Sequence, residues 1–435
     1  MNNITAVIIA GGKGTRLSSF TKEIPKPMIP INGKSILERQ IEEFRNYGIT
    51  NIIITVGYLK DVIMNYFGDG KKFQVNIDYV EENEPLGSAG AFYYLKDKIK
   101  GAFFAVYGDV LFSVSLPKML KYHQSKNAAI SLFVHPNSHP HDSDVVLCNE
   151  NDMIIDFLRK NADRQGLYYD NLVNAGLFVF EKETLDYFSR PEKKDLENDF
   201  IMSFVRQNKV VAYKSSEYIK DMGTYSRLSS VESHVESDIV RMRNLDKPQK
   251  AIFLDRDGTI NQHKGLITDP NMLELEVGAA EAIKKINDSG YLAIVITNQP
   301  VIARGICTFE ELHKIHQKLD MILGEQGAYI DGLYFCPHHP DSGYEGERKE
   351  YKIKCQCRKP GIQLIEKAVE DFHIDLSQSY FIGDSTMDIQ AGKNAGVKSI
   401  VLKTGEAGKD GKYQVTPDFV CENLLSAINL ILEGK

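Results

Sequence analysis

The 435-residue chain is short of several things, and each shortage closes off a class of protein. No apolar run reaches the ~18 residues of a membrane span, and the first residues lack a signal-peptide pattern. No membrane association and a cytoplasmic location are therefore expected. Six cysteines are too few for a disulfide scaffold at this length. Positive charge is also in deficit: 52 Lys and Arg against 59 Asp and Glu give a net charge of −7. Nucleic-acid binders usually show a basic face, so no nucleic-acid partner is expected. The sequence has no internal repeat and no low-complexity segment. What it does have is ordinary for a globular protein, with 43% hydrophobic and 26% charged residues. The length suits two domains of roughly 200 residues each.

Apolar runs recur along the chain. Residues 4–10 form a β-rich run that stops at Gly11-Gly12. Ser35–Tyr47 carries Ile36, Leu37, Ile41 and Phe44 at helical spacing, and Asn51–Gly57 is a second short run. Phe103–Tyr107 repeats the pattern and stops at Gly108-Asp109, while Ala129–Val134 and Gly176–Phe180 read as further strands. Strands alternating with helices imply an α/β fold with a mostly parallel sheet. Ser229–Lys250 is polar, charged and helix-compatible, and Asp246-Lys247-Pro248 breaks it. The pattern then restarts with strand Ala251–Leu254, helix Ala279–Ser289, strand Leu292–Thr297 and helix Phe309–Gly324. Helix Ile362–Phe372 and strands Ser379–Ile382 and Ser399–Leu402 follow. The expectation is a first domain over 1–235, a linker over 236–249 and a second domain over 250–435. Each should be a doubly wound, mostly parallel α/β sheet.

The first candidate site spans Gly11-Gly12-Lys13-Gly14-Thr15-Arg16-Leu17, directly after a strand. Glycines let backbone N–H groups turn toward an anion and let phosphate approach closely. The spacing is neither a Walker A loop nor a dinucleotide fingerprint. Alone it is equally a tight glycine-rich turn. Downstream, Pro25-Lys26-Pro27 holds a lysine between two prolines, which suits a phosphate clamp.

These motifs, with Glu84-Pro85-Leu86-Gly87-Ser88-Ala89-Gly90, Tyr107-Gly108-Asp109, Asn174-Ala175-Gly176 and Lys220-Asp221-Met222-Gly223-Thr224, resemble the sugar-1-phosphate nucleotidyltransferase family over roughly residues 1–235. The resemblance implies a Rossmann-like domain that joins a sugar 1-phosphate to a nucleoside triphosphate and releases pyrophosphate. In-line attack at the α-phosphorus between two anions calls mainly for positioning and charge neutralisation. Gly11, Gly12, Gly14, Thr15, Arg16, Lys26, Glu82, Glu84, Gly87 and Asp109 would hold the nucleotide. Arg16 would steady the leaving pyrophosphate and Lys26 the α-phosphate. Asp109 and Asp221 would hold Mg²⁺, a hard cation suited to carboxylates. Lys160, Asn174 and Gly176 would hold the sugar phosphate. Where the family has Glu-Lys, this chain has Arg159-Lys160, so the sugar-hydroxyl contact would fall to Asp156 or Asp170. Residues 80–87 resemble the guanylyltransferase branch. A carboxylate accepts from guanine N1–H and its 2-amino group together, whereas uracil and thymine offer only one such N–H. GTP is therefore the expected donor.

The second candidate site begins at Asp255-Arg256-Asp257-Gly258-Thr259, where an apolar run delivers two carboxylates at i, i+2. Alone, an Asp-x-Asp pair is often a polar strand end. Here Thr297-Asn298-Gln299, Arg358-Lys359-Pro360 and Gly383-Asp384-Ser385-Thr386-Met387-Asp388 follow in order. The set resembles the haloacid dehalogenase-type phosphatases. The resemblance implies Asp255 as nucleophile, Asp257 as acid and then base, and Thr297 and Lys359 as further catalytic groups. Passing through an aspartyl-phosphate replaces one hard step with two easier ones. Asn298, Gln299, Arg358 and Lys359 would hold the sugar phosphate, and Asp255, Asp257 and Asp384 would hold Mg²⁺, for which the Gly383–Asp388 motif supplies acids at a strand end.

Cys336, His338, Cys355 and Cys357 have ligand types that suit a tetrahedral, structural Zn²⁺, with His339 as a rival to His338. Reduced thiols without a metal are the alternative. This arrangement narrows the resemblance to heptose 1,7-bisphosphate phosphatases and the related histidinol-phosphate phosphatases, over residues 249–433. Pro300-Val301 and Ser385 depart from that pattern and bear on substrate fit.

Together the two resemblances imply successive steps. Removal of the 7-phosphate from a heptose bisphosphate gives heptose 1-phosphate, and guanylyl transfer then gives a GDP-heptose. Small-molecule substrates (GTP and heptose phosphates) are the expected partners, with homo-oligomerisation left open. The alternatives are the same two activities on another sugar, or one half serving as a non-catalytic module.

Overall fold

The computed structural model describes residues 1, 4–12, 23–82 and 84–434. The chain divides into two compact units. One comprises Met1–His135, Val146–Leu158 and Asn174–Asn244; the other comprises Pro136–Val145, Arg159–Val173 and Leu245–Lys435.

In the first unit, strands β1 (Thr5–Ile9), β2 (Asn51–Val56), β3 (Asn76–Glu81) and β4 (Phe103–Tyr107) run parallel in the order β3-β2-β1-β4. Their near-continuous apolar sequences follow from burial on both faces, the usual condition of parallel strands. Strand β5 (Val173–Phe180) then pairs antiparallel with β4, which makes the sheet mixed rather than wholly parallel. Helix α1 (Ile36–Asn46) starts where Ser35 Oγ accepts from Glu38 N, and buries Ile36, Leu37, Gln40, Ile41 and Phe44 along one face. Gln40 is the polar member of that face. Its Nε2 donates to Tyr107 O at 2.8 Å and Val110 O at 2.6 Å, which pins the turn carrying Asp109.

The second unit holds a six-stranded parallel sheet. Its strands are β6 (Lys250–Leu254), β7 (Tyr291–Asn298), β8 (Gly332–Cys336), β9 (Tyr380–Gly383), β10 (Lys398–Leu402) and β11 (Phe419–Cys421). Their spatial order is β8-β7-β6-β9-β10-β11. Numbered from the first strand, that is 3-2-1-4-5-6, the doubly wound order. Connections leave β6 toward one side and β9 toward the other, so a crevice opens between their carboxyl ends.

Sequence pattern located Ile36–Asn46, Ala279–Asn287 and Phe309–Glu325 to within a residue or two, and began β5 three residues late. Among the elements it passed over are β3, β8 and β11 and the helices Lys60–Phe67, Leu116–Lys126, Thr386–Ala395 and Leu424–Leu432. Within the stretch expected as a linker, Ile239, Arg243 and Asn244 are buried in the first unit, and Asn244 donates to Tyr47 Oη at 2.9 Å. Leu245 and Gln249 are buried in the second, where Gln249 N donates to His373 O at 2.8 Å.

One half-buried acid should make the stability of the first unit depend on pH. Burial pushes the Glu43 carboxyl up to about 7, against a hydrogen bond from Ser113 Oγ at 3.2 Å. A raised carboxyl favours the folded state while protonated, so its contribution is full below about pH 4.5 and is lost as pH rises through about 7. Glu43→Gln keeps the neutral shape. Denaturant unfolding at pH 5 and pH 8 should show the variant losing less stability than the wild type, by roughly 2–3 kcal/mol.

Candidate active sites

The first site lies where β1 and β4 part. Ala10 N donates to Thr55 O at 3.0 Å and Gly108 N to Ile9 O at 2.9 Å, which extends the sheet just past the strand ends. Gly11, Gly12, Lys26, Glu82, Gly87, Ser88, Tyr107 and Asp109 then line a cavity of about 320 Å³. Gly14, Thr15 and Arg16 lie outside the described residues. Glu84 is exposed and does not line the cavity.

Lys26 is 8% exposed, sits on the single turn Lys26–Met28, and pairs with Asp109. Asp221 arrives alongside because Tyr218–Asp221 pairs antiparallel with Val110–Ser113, setting Asp221 opposite Val110. Arg227 Nη1 grips both Asp221 oxygens, at 2.9 and 2.8 Å. Burial opposes charge on Asp221, but Arg227 and Lys26 hold its carboxyl below the ordinary range. Each of the two acids expected to hold Mg²⁺ thus has a cation of the chain beside it. Glu82 Oε2 accepts from Leu86 N at 3.0 Å, and a Cβ on Gly11 would stand 2.5 Å from Glu82 Oε1. Burial raises the Glu82 carboxyl.

Asn174 and Gly176 reach this site on β5. Gly176 has φ +79°, and a Cβ there would meet the Tyr107 ring at 2.7 Å, so the glycine lets the ring approach the strand closely. Tyr107 Oη donates to Glu197 Oε1 at 2.7 Å. Lys160 is exposed and belongs to the segment that groups with the second unit. Of the acids weighed for the sugar, Asp156 is exposed and accepts from Phe157 N, and Asp170 pairs with His313 at 3.3 Å.

In the second site Asp255 follows β6 and Asp384 follows β9, on either side of the crevice. Asp255 N donates to Ile382 O at 3.0 Å. Asp255, Asp384 and Asp388 each bring a carboxylate oxygen within 4.8 Å of the others. Lys359, only 3% exposed, stands 2.7 Å from Asp255 Oδ1 and 2.6 Å from Asp388 Oδ1. Burial pushes Asp255 up to about 7 despite Lys359, with Asp388 and Asp257 adding to the rise. Burial likewise pushes Asp384 up to about 8. A hard divalent cation among these three acids would stabilise the charged carboxylates that their burial and mutual repulsion disfavour.

The Asp257 carboxyl stands beside this cluster, not within it. Arg256, fully buried, donates from Nη2 to both its oxygens at 2.9 Å, while Asn261 and Gln299 donate at 3.0 Å each. Burial opposes its charge, and Arg256 with these donors nevertheless lowers its pKa. Gln299 also donates to Thr297 Oγ1 at 2.9 Å. Asn298 brackets Lys359, accepting from its N at 3.0 Å and donating to its O at 3.3 Å.

The thiols converge next to this loop. Cys357 Sγ lies 3.1 Å from Cys336 Sγ, 3.2 Å from Cys355 Sγ and 3.2 Å from His338 Nδ1. A tetrahedron with bonds of ~2.3 Å has edges of roughly 3.8 Å, so this donor set fits zinc after slight expansion. His339 instead faces Asp341, whose N donates to its Nδ1 at 3.2 Å. Arg358 Nη1 donates to His338 O at 3.2 Å, which ties the following Arg-Lys pair to the cluster.

A nucleotidyl transferase family model matches residues 5–238, and a HAD-hydrolase-like model matches 356–427. The D-glycero-beta-D-manno-heptose-1,7-bisphosphate 7-phosphatase of Haemophilus ducreyi is 40% identical over 161 residues, 37% of this chain and 86% of that protein. The enzyme of the same name from Pasteurella multocida is 36% identical over 42% of this chain and 97% of its own length. The chain belongs to the nucleotidyl transferase family, and its second half to the family of these phosphatases. Among solved structures, HddC from Yersinia pseudotuberculosis is similar at 23% identity and TM-score 0.47, over 53% of this chain and 99% of that one.

Within the phosphatase domain, the sequence reading set Asp257 among the metal ligands. The Asp257 carboxyl is hydrogen-bonded to Arg256 and Gln299, and the carboxylates that converge with Asp255 are those of Asp384 and Asp388, both in the Gly383–Asp388 motif. The signal for Asp388 was Ser385-x-x-Asp388, a capping box that starts a helix at the strand end and aims N3 back at the site. Arg256 was legible too, as the lone cation between two acids. In the nucleotidyl transferase domain, nothing local marked Gln40 or Glu197, which reach the site from 67 and 90 residues away from Tyr107.

Gly258 has φ +79°, and a Cβ there would stand 2.2 Å from Asp384 Oδ2. Gly258→Ala should cut phosphate release on the order of 10²-fold by displacing that carboxylate. Nucleotidyl transfer by the same preparation should be unchanged.

Proposed function

We propose that the protein is a bifunctional enzyme of GDP-heptose formation. The phosphatase domain would remove the 7-phosphate of D-glycero-D-manno-heptose 1,7-bisphosphate. The transferase domain would then move GMP from GTP to heptose 1-phosphate, releasing pyrophosphate. The observation that carries this reading is the pairing in one chain. A near-full-length match to proteins named as heptose-1,7-bisphosphate 7-phosphatases stands beside a nucleotidyl transferase domain. Loss of the 7-phosphate leaves a sugar 1-phosphate, the substrate class of the other half. GTP is the donor because Glu82 in the cavity wall offers a carboxylate to two N–H groups of guanine. The six free thiols and the GTP requirement suit the cytoplasm.

In the phosphatase domain Asp255 attacks the phosphorus, the ester P–O bond breaks, and Asp257 gives the departing oxygen its proton. Asp257 then takes a proton from the water that hydrolyses the aspartyl-phosphate. Arg256, Asn261 and Gln299 fix its carboxyl, and the Arg256 charge favours the basic form needed for that second step. Lys359 and Arg358 attract the phosphate. Mg²⁺ held by Asp255, Asp384 and Asp388, and by Asp109 with Asp221 in the transferase, would neutralise phosphate charge. In the transferase, Lys26 and the amides at Gly11 and Gly12 hold the nucleotide phosphates in line with the incoming oxygen. Zinc on Cys336, His338, Cys355 and Cys357 would fix the loop that presents Arg358 and Lys359.

Asp255→Asn should lower phosphate release from the bisphosphate by on the order of 10³-fold or more while leaving pyrophosphate release from GTP and heptose 1-phosphate intact. Surviving phosphate release would remove Asp255 as nucleophile. Heptose 1,7-bisphosphate offered with each nucleoside triphosphate in turn should give GDP-heptose by mass, and another nucleotide product would overturn the base assignment. Elemental analysis should find about one zinc per chain. Cys357→Ser should lower both zinc content and phosphatase activity without touching the transferase.

A further inference from the structure

Beyond Tyr107 the cavity wall of the first unit continues into residues that the reaction described so far does not use. Leu196–Ile201 is a π-helical turn opening on Asp195, whose side chain accepts from Asn198 N. Two anchors tie this turn to the cavity lining. Leu196 N donates to Ser88 Oγ at 2.7 Å, and Tyr107 Oη donates to Glu197 Oε1 at 2.7 Å. Both Ser88 and Tyr107 line the cavity. The preceding residues are fixed as well. Ala89 N donates to Lys194 O at 3.0 Å and Lys194 N to Leu86 O at 2.9 Å. Gly87 and Gly90 pack there with no room for a side chain, since a Cβ would stand 2.4 Å from Lys194 O and 2.2 Å from Glu192 O respectively.

A second donor meets the same oxygen. Asn174 Nδ2 donates to Glu197 Oε1 at 3.1 Å, and Asn174 Oδ1 accepts from Gly176 N at 3.2 Å. The backbone amide settles which way the Asn174 amide points, and the Asn174 amide with the tyrosine hydroxyl settles where the carboxylate lies. Glu197 is half-buried, not packed away. A carboxylate offers about four lone-pair sites, and hydroxyl donors make short, charge-assisted bonds to it. Such a group, placed by three elements at the edge of the cavity that Gly11, Gly12 and Lys26 line, suits the hydroxyls of a polyol.

We propose that Glu197 is the hydroxyl-binding carboxylate of the sugar 1-phosphate subsite, with Asn174 beside it as a positioning residue and amide donor. The proposal rests on the transferase reading above and adds to it the residue that recognises the sugar ring. It places sugar specificity on the segment 192–201, away from the glycine-rich loop that serves the nucleotide.

Glu197→Gln keeps an acceptor oxygen for Tyr107 and Asn174 but removes the charge. With D-glycero-D-manno-heptose 1-phosphate the variant should lose about 10- to 100-fold in kcat/KM, mainly through KM for the sugar. KM for GTP should stay within about twofold, the spread of a group that does not touch the nucleotide. Glu197→Asp, with the charge kept but withdrawn by one methylene, should lose less in the same direction. The deciding measurement compares the heptose 1-phosphate with its 2-deoxy and 3-deoxy analogues in wild type and variant. At least one deoxy analogue should cost the wild type heavily and the Glu197→Gln enzyme little further. An undiminished deoxy penalty in the variant, or a KM for GTP that rises as much as that for the sugar, would overturn the proposal. Failure of the wild type to use heptose 1-phosphate with GTP would strike the substrate reading instead. The same cycle on whichever sugar 1-phosphate it does consume then decides Glu197.

Discussion

Both sites depend on one constraint of parallel sheets. A parallel strand is covered on both faces, so its chemistry can emerge only at an end. Where neighbouring strands send their connections to opposite sides, the carboxyl ends are left uncovered. Each unit has such a point between its first strand and the strand on the other flank. In the first unit it lies between β1 and β4, and it exposes Gly11 and Asp109. In the second it lies between β6 and β9, and it exposes Asp255 and Asp384. Two unlike phosphate chemistries therefore occupy the same topological position. One is built on amides and a clamped lysine, the other on a buried acid.

The second constraint is charge. Acids gathered at a strand end repel one another, and burial magnifies the repulsion. The chain answers with cations of its own. Lys359 stands between Asp255 and Asp388, Arg256 lies along Asp257, Lys26 meets Asp109 and Arg227 grips Asp221. These pairings let the sites fold before substrate arrives. They also leave basic groups placed where an incoming phosphate, itself anionic, can compete for them.

How much of this was legible depends on how local the signal is. Strands that end in Gly11-Gly12, Gly108-Asp109, Asp255 or Asp384 announce themselves, because an apolar run and its functional terminus are adjacent. His338 could be told from His339 only in three dimensions, where Nδ1 of His338 turns to Cys357. Short strands such as Phe419–Cys421 escaped because three residues carry no period. Asp257 was placed at the metal by the family resemblance, whereas its carboxyl is taken up by Arg256, Asn261 and Gln299. Glu197 is a residue of an irregular turn whose role arises only because β4 and β5 carry Tyr107 and Asn174 to it.

Asp388 belongs to two structures at once. Its Oδ2 accepts from Ser385 N at 3.1 Å and Ser385 Oγ at 2.6 Å, closing the first turn of a helix, while its Oδ1 faces Lys359. A free aspartate adapts to an ion of different radius by swinging about its χ angles. This one cannot swing without uncapping the helix, whose N-terminal dipole already favours the negative charge. The size of an ion held by Asp388 would therefore be felt by secondary structure, and selectivity by radius would become a property of a helix end.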